Sequence, residues 1–238
     1  MSQTAEDELL ALLESAGIPP ELREPLSRYG ALVLEANRRV NLTGAKTAEA
    51  LAEHLLDSLT VVPYVREPYV DVGSGAGFPA IPVAIATGIP VTLVETTAKK
   101  AAFLDVVLER LDLRGGVLAR RAEAVAHEEA FRERFASGTA RALAGATTVA
   151  ELLLPLIAPG GVAALQRGRL DEPERAALDD AALMLGGRLE SEVAVAGERR
   201  ILLIRKERAT PLRFPRRPGI PEKRPLCMEG GVSRRTPR

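Results

Sequence analysis

Three glycines in five residues, Gly73, Gly75 and Gly77, follow a short apolar run and precede Phe78-Pro79 and Pro82. Tyr69, Val70 and Val72 suit a buried strand, and the glycines let the backbone turn sharply with no Cβ in the way. A bend of that kind presents bare backbone to a nucleotide-like ligand at the carboxyl end of a first strand. A dinucleotide site wants a third glycine where Phe78 stands and N–H groups at the helix start, and Pro79 and Pro82 each remove one. The loop therefore makes a poor anion cradle and suits a cofactor without phosphate, of which S-adenosylmethionine is the common one. A glycine turn with no ligand is the competing reading, because the motif alone is weak.

Other side chains add to this chemistry. Glu95 ends the next strand about twenty residues past the loop, where a carboxylate can accept hydrogen bonds from both ribose hydroxyls of a nucleotide. Glu123, in Arg121-Ala122-Glu123 after a third strand, can bond an adenine amino group while a neighbouring backbone N–H meets a ring nitrogen. It also suits an exposed helix start, favoured by the helix dipole. Arg141 interrupts an apolar strand, a costly place for a charge unless it reaches a cleft or a partner. Asp71 either steers the cationic end of the cofactor or stabilises the turn. His54 and Asp57 lie three apart on one helix face and could meet at a site, although an ordinary surface or core pair is the commoner use. Arg38, Arg39 and Asn41 could touch phosphate or base edges, or be solvated. Asn41, Asp71, Arg141 and Arg167 are candidates for positioning; none is singled out as a catalytic acid or base.

The elements that must hold these residues follow from periodicity. A short amphipathic helix from Thr4 to Gly17 and a second from Pro20 to about Arg39 precede a helical run through His54 to about Val62. Strands are predicted at Val91–Glu95, Val117–Arg120, Thr139–Leu143 and Gly160–Leu165, alternating with helices, one of them a polar helix from Glu123 to about Ala136. Arg188–Val195 and Arg200–Arg205 pair as a final hairpin. The sum is an α/β fold with a seven-stranded open sheet and helices on both faces. Three parts are expected: a helical cap at 1–62, the main domain at 63–206, and a basic, proline-rich, extended tail at 207–238.

Composition sets limits. The 238 residues are 46% hydrophobic and 27% charged, the balance of a water-soluble globular chain. The formal charge of zero hides a gradient, since Arg205 to Arg238 holds eleven Lys or Arg against three Glu. Cys227 is the single cysteine, which excludes an internal disulfide or a cysteine metal cluster and fits a reducing cytoplasm. No membrane span or signal peptide is expected, and no metal.

With Asn41-Leu42-Thr43, His54-Leu55-Leu56-Asp57-Ser58-Leu59, Asp71 to Pro79, Arg121-Ala122-Glu123, Arg141-Ala142 and Phe214 to Pro221 in this order, the chain resembles the bacterial 16S rRNA guanine-N7 methyltransferases, the RsmG or glucose-inhibited division protein B family. The resemblance covers about residues 5 to 226. It implies a class I, Rossmann-like methyltransferase fold, S-adenosylmethionine as donor, and a guanine in the decoding region of 16S rRNA as acceptor. By position it implies Gly73, Gly75, Phe78, Ala122, Glu123 and Arg141 as cofactor contacts, with Glu95 at the ribose. Two departures stand out: Arg167-Gly168 replaces a frequent Lys-Gly, and Glu95 stands where many members carry Asp.

For the RNA, the expected phosphate contacts are Arg38, Arg39, Arg216, Arg217, Lys223 and Arg224, with affinity falling as salt rises. A monomer is expected, acting on 16S rRNA or the small ribosomal subunit. The alternatives are a small-molecule methyltransferase, which would not need so basic a tail, and a non-catalytic rRNA-binding assembly factor on the same fold. A dehydrogenase fits poorly because of Phe78 and the two prolines.

Overall fold

The computed structural model describes residues 2–141 and 143–226. Ala142 of the Arg141-Ala142 motif and the tail from Cys227 onward lie outside the described residues. The chain opens with α1 (Ser2–Ser15), α2 (Pro20–Asn37) and α3 (Ala48–Leu59). The alternating part follows as β1 (Tyr69–Val72), α4 (Ala80–Thr87), β2 (Val91–Val94), α5 (Ala98–Arg110), β3 (Gly115–Leu118), α6 (Ala122–Val125), β4 (Phe135–Arg141), α7 (Ala146–Leu153), β5 (Ile157–Gly168) and α8 (Glu172–Met184). It closes with β6 (Gly187–Ala194), β7 (Arg199–Lys206) and a short α9 (Ile220–Lys223) in the tail.

The seven strands run in the order β3-β2-β1-β4-β5-β7-β6, parallel through β5, with β7 antiparallel to both of its neighbours. The order reverses between β1 and β4, so a crevice opens at the carboxyl ends of those strands, where open α/β sheets bind ligands. β1 is buried along its whole length, as a parallel strand covered on both faces must be.

Two hydrophobic clusters flank the sheet. One joins Leu9, Leu13, Leu26, Tyr29, Leu51 and Leu55 of the N-terminal helices to Tyr69, Leu93, Leu104 and Leu203. The other joins Val70, Val72, Leu153, Leu165 and Leu202 to α8, and takes in Phe214 and Leu226 of the tail. α1–α3 therefore share one core with a sheet face.

Several elements differ from the expectation. β4 begins at Phe135 and ends at Arg141, earlier than Thr139–Leu143, because its small residues accept close packing: a Cβ on Gly138 would lie 2.7 Å from Leu153 Cδ1 and 2.8 Å from Ile157 Cδ1. The polar helix expected to reach Ala136 stops at Val125. Tertiary contacts override its propensity: Glu133 takes φ 52 and donates its N–H to Pro155 O, while the Arg132 guanidinium donates to the carbonyls of Ala126, Thr210 and Phe214. The tail to Leu226 lies against the body, with Phe214, Pro221 and Leu226 buried.

Candidate active site

At the end of β1 the chain turns through Gly73 (φ 73), Gly75 (φ 57) and Gly77 (φ 104), and the N–H groups of Gly73 and Ser74 donate to Val94 O across to β2. A Cβ on Gly73 would stand 2.5 Å from Leu143 Cδ1, an exposed side chain that can shift, so it is the positive φ that makes a side chain costly here. Beneath the loop, the buried Tyr29 donates its hydroxyl to Ala76 O at 2.8 Å and meets Phe78 edge-on at 5.3 Å. The loop is thus anchored from α2, a partnership the sequence did not reveal because Tyr29 read only as one more apolar position.

Above the loop lies a cleft of about 1060 Å³. Beside it is a smaller cavity of about 210 Å³, bordered by Val72, Ala122, Glu123, Leu152 and Pro221. Gly73, Glu95 and Leu143 border both spaces, so Glu95 stands at their junction. Its Oε2 accepts from Gly75 N at 2.9 Å and its Oε1 from Thr97 N at 2.7 Å, which ties the glycine bend to the end of β2. Glu123 is 4% exposed and accepts from Gly219 N of the tail through Oε1 at 2.8 Å.

Asp71 is buried beneath the loop. Thr139 Oγ1 donates to its Oδ1 at 2.5 Å, whereas Oδ2 has no partner among the described residues. Burial pushes this carboxyl up to about 7, against the opposing Thr139 hydrogen bond.

The far end of the cleft is cationic. Arg141 ends β4, pairs with Asp57 Oδ2 at 3.3 Å and sits over the Phe78 ring at 4.7 Å from its centroid. Asp57 also faces Arg199 at 3.8 Å, and the His54 ring packs on Phe78 at 5.6 Å. Burial, then the Arg141 and Arg199 charges, hold His54 below its ordinary value, so it is neutral at neutral pH. The Gln166 amide donates to Asp57 O and Thr60 Oγ1, leaving its Oε1 without a partner among the described residues, as is Arg167 Nε beside it in sequence. Thus His54, Asp57, Arg141 and Arg167 all line one cleft with Gly73, Gly75, Phe78 and Glu95, whereas Ala122 and Glu123 line the cavity beside it.

Other candidates lie elsewhere. Arg38 and Asn41 border a separate hollow near α1 and α3, and both are exposed, as is Arg39. The neighbouring residues Leu42, Thr43 and Gly44 do reach the cleft. Asn37 organises that turn: its Oδ1 accepts from the N–H groups of Leu42 and Thr43, and its Nδ2 donates to Thr43 O and Ala45 O. Arg217, Lys223 and Arg224 are exposed on the tail. Arg216 is not free in this way: its guanidinium is committed to Glu151, a fully buried carboxylate of α7.

These residues fit an adenosyl sulfonium cofactor. A Cβ at Gly73 would meet Leu143, Glu95 stands where two cavities meet, and Glu123 borders the smaller one; Asp71 lies beneath the loop and lines neither. Among the described residues, no group of three or more His, Cys, Asp or Glu could hold a metal ion, and no helix is long and apolar enough to cross a membrane.

Solved structures resemble this fold at low identity. The [4+2]-cyclase SpnF matches with a TM-score of 0.55 at 12% identity over 79% of this chain and 97% of its own. The ribosomal protein L11 methylase of Lactobacillus delbrueckii subsp. bulgaricus matches with a TM-score of 0.52 at 13% identity, covering 66% and 80%. The fold is that of the class I S-adenosylmethionine-dependent methyltransferases. A fold that also serves a cyclase does not fix an activity, but the sequence does. The family model described as rRNA small subunit methyltransferase G (GidB) matches residues 22–203. Proteins named ribosomal RNA small subunit methyltransferase G match along most of their length: that of Chloroflexus aggregans is 40% identical, covering 95% of this chain and 100% of its own, and that of Leuconostoc citreum 35% identical, covering 92% and 98%. The chain belongs to the rRNA small subunit methyltransferase G family and is an rRNA methyltransferase.

Proposed function

We propose that this chain methylates N7 of a guanine in the decoding region of 16S rRNA, with S-adenosylmethionine as donor, working as a cytoplasmic monomer on the small ribosomal subunit or its RNA. The observation that carries this reading is the placement of Glu95 where the glycine-lined cleft and the Glu123 cavity meet. When bound, the cofactor supplies an electrophilic methyl group on sulfonium sulfur. Glu95 would hold the ribose and Glu123 the adenine amino group, with Ala122 beside it. Gly73 and Gly75 would offer bare backbone, and Asp71, buried beneath the loop and lining neither cavity, would act on the cationic amino-acid end only through its charge.

Guanine N7 has a lone pair and no proton to lose, so the residues need not supply a base. Their work is orientation, which alone can contribute about 7–11 kcal/mol to a barrier. Phe78, held between Tyr29, His54 and Arg141, gives the cleft a rigid apolar wall. Arg141 is itself fixed by Asp57, and Arg167, which lines the cleft and has no ion pair among the described residues, would face an acceptor base or its phosphate. Exposed Arg38, Arg39, Arg217, Lys223 and Arg224 would contact RNA phosphates. With few aromatic residues in the chain, phosphate contact and shape count for more than stacking in the choice of target.

Methyl transfer from labelled cofactor should be compared on naked 16S rRNA, on small subunits and on short oligonucleotides carrying the target base. Strong transfer to rRNA or subunits with little to oligonucleotides supports the reading. Equal transfer to the oligonucleotide removes the need for a structured RNA, and transfer to none removes the proposed substrate.

A further inference from the structure

The segment after β7 forms one wall of the Glu123 cavity, and a buried ion pair fixes it there. Glu151, on α7, is 0% exposed. Arg216 donates Nε to its Oε1 at 2.8 Å and Nη2 to its Oε2 at 2.6 Å, and the Arg216 backbone N–H adds a bond to Oε1 at 2.8 Å. The same Nη2 donates to Arg224 O at 2.6 Å, so residues 216–224 are drawn into a closed strap. A carboxylate this deep is tolerated only when its oxygens are fully bonded.

The strap touches the cavity at two points. Gly219, at φ 77, donates its N–H to Glu123 Oε1 at 2.8 Å. Pro221 lines the cavity, and its carbonyl accepts from Thr148 Oγ1 of α7 at 3.0 Å. Glu123 is thereby held by one oxygen, while Oε2 has no hydrogen bond among the described residues. A carboxylate free to rotate adapts to its ligand; one held through a single oxygen offers an acceptor in a fixed direction. Adenine presents a two-proton donor at the six position, whereas hypoxanthine presents a carbonyl oxygen that the carboxylate lone pairs repel.

We infer that the Arg216–Glu151 clamp is a positioning device for purine selection, acting through Gly219 on Glu123 and through Pro221 on the cavity wall. This rests on the reading that the cavity takes the adenine of the cofactor. On this account Arg216, one of the residues expected to contact RNA phosphate, serves the cofactor instead.

The test is the ratio of dissociation constants for S-adenosylhomocysteine and S-inosylhomocysteine, measured by calorimetry on the full chain. The variants are Glu151→Leu with Arg216→Leu, which removes the clamp without leaving a buried charge, and Arg216→Lys, which keeps charge but loses the planar fork. The wild-type protein is expected to prefer the adenosyl ligand. The double variant should narrow that preference by about tenfold, the scale of one lost hydrogen bond to a charged group, and Arg216→Lys should fall between. A folded double variant with the wild-type ratio overturns the inference. Should it not fold, an unchanged ratio in Arg216→Lys overturns it equally. A wild-type protein that binds both ligands alike also rejects the clamp's role, whereas one that binds neither rejects the cofactor site itself.

Discussion

Replacing Asp71 by Asn separates the electrical cost of this buried carboxylate from its contacts. In the fold, burial raises its pKa from 3.8 to about 7. Between those values the folded chain keeps a proton that the unfolded chain has lost, so wild-type stability falls as pH rises through this window and levels off above it. At about 1.36 kcal/mol per pH unit, tapering to half that slope at the folded pKa, the fall from pH 5 to pH 7 is ~2.3 kcal/mol. Asn does not titrate, and its carbonyl oxygen can still accept from Thr139, although its amide finds no acceptor where Oδ2 now stands unpartnered. That unmet donor costs about 1–3 kcal/mol at every pH. Denaturant unfolding of both proteins from pH 5 to pH 8 should therefore show the stability of Asp71→Asn, relative to wild type, rising by ~2 kcal/mol up to pH 7 and levelling off only toward pH 8. A relative stability constant across this range would refute the reasoning. If the cofactor's ammonium sits near Asp71, saturating S-adenosylhomocysteine should lower the Asp71 pKa and shrink the pH dependence.

Glu95→Gln should weaken S-adenosylhomocysteine binding about tenfold or more by calorimetry, because the amide has one acceptor oxygen where Glu95 now bonds two backbone N–H groups; unchanged affinity would remove Glu95 from the site. Gly73→Ala should abolish measurable cofactor binding, and adding Leu143→Ala should not restore it, since the clash with Leu143 is relieved but the positive φ remains. Neutralising Arg217, Lys223 and Arg224 together should weaken RNA binding and reduce the slope of log affinity against log salt by about three if each contacts a phosphate, with cofactor affinity unchanged. Neutralising Arg216 should not reduce that slope, because its charge is already paired with Glu151.

Much of the fold was legible because its signals are local. Glycine spacing after a β-branched run marks the end of β1, and twenty further residues bring the chain to Glu95. The strand hairpin around Gly197 reads from alternation. The parts that escaped depend on distant partners. Arg216 and Glu151 are 65 residues apart, and nothing in a proline-rich basic segment says which arginine will be buried against a carboxylate. The residues after Glu123 have the composition of a helix, yet the chain leaves the helix at Val125 because Arg132 and Glu133 serve the tail and the Leu154–Leu156 turn before β5 instead. Asn41 drew attention by its motif, but Asn37 performs the structural work of that turn with four hydrogen bonds. His54 and Asp57 share a cleft as their spacing allows, though they face different partners, Phe78 and Arg141.

Mass mapping of 16S rRNA after incubation with the protein and isotopically labelled S-adenosylmethionine tests the central claim most directly. One labelled 7-methylguanine within the decoding region, formed more slowly at sub-saturating cofactor when Glu95 is replaced by Gln, is the predicted result. Label at another atom or another base, or no label in RNA while a small molecule accepts the methyl group, would contradict it.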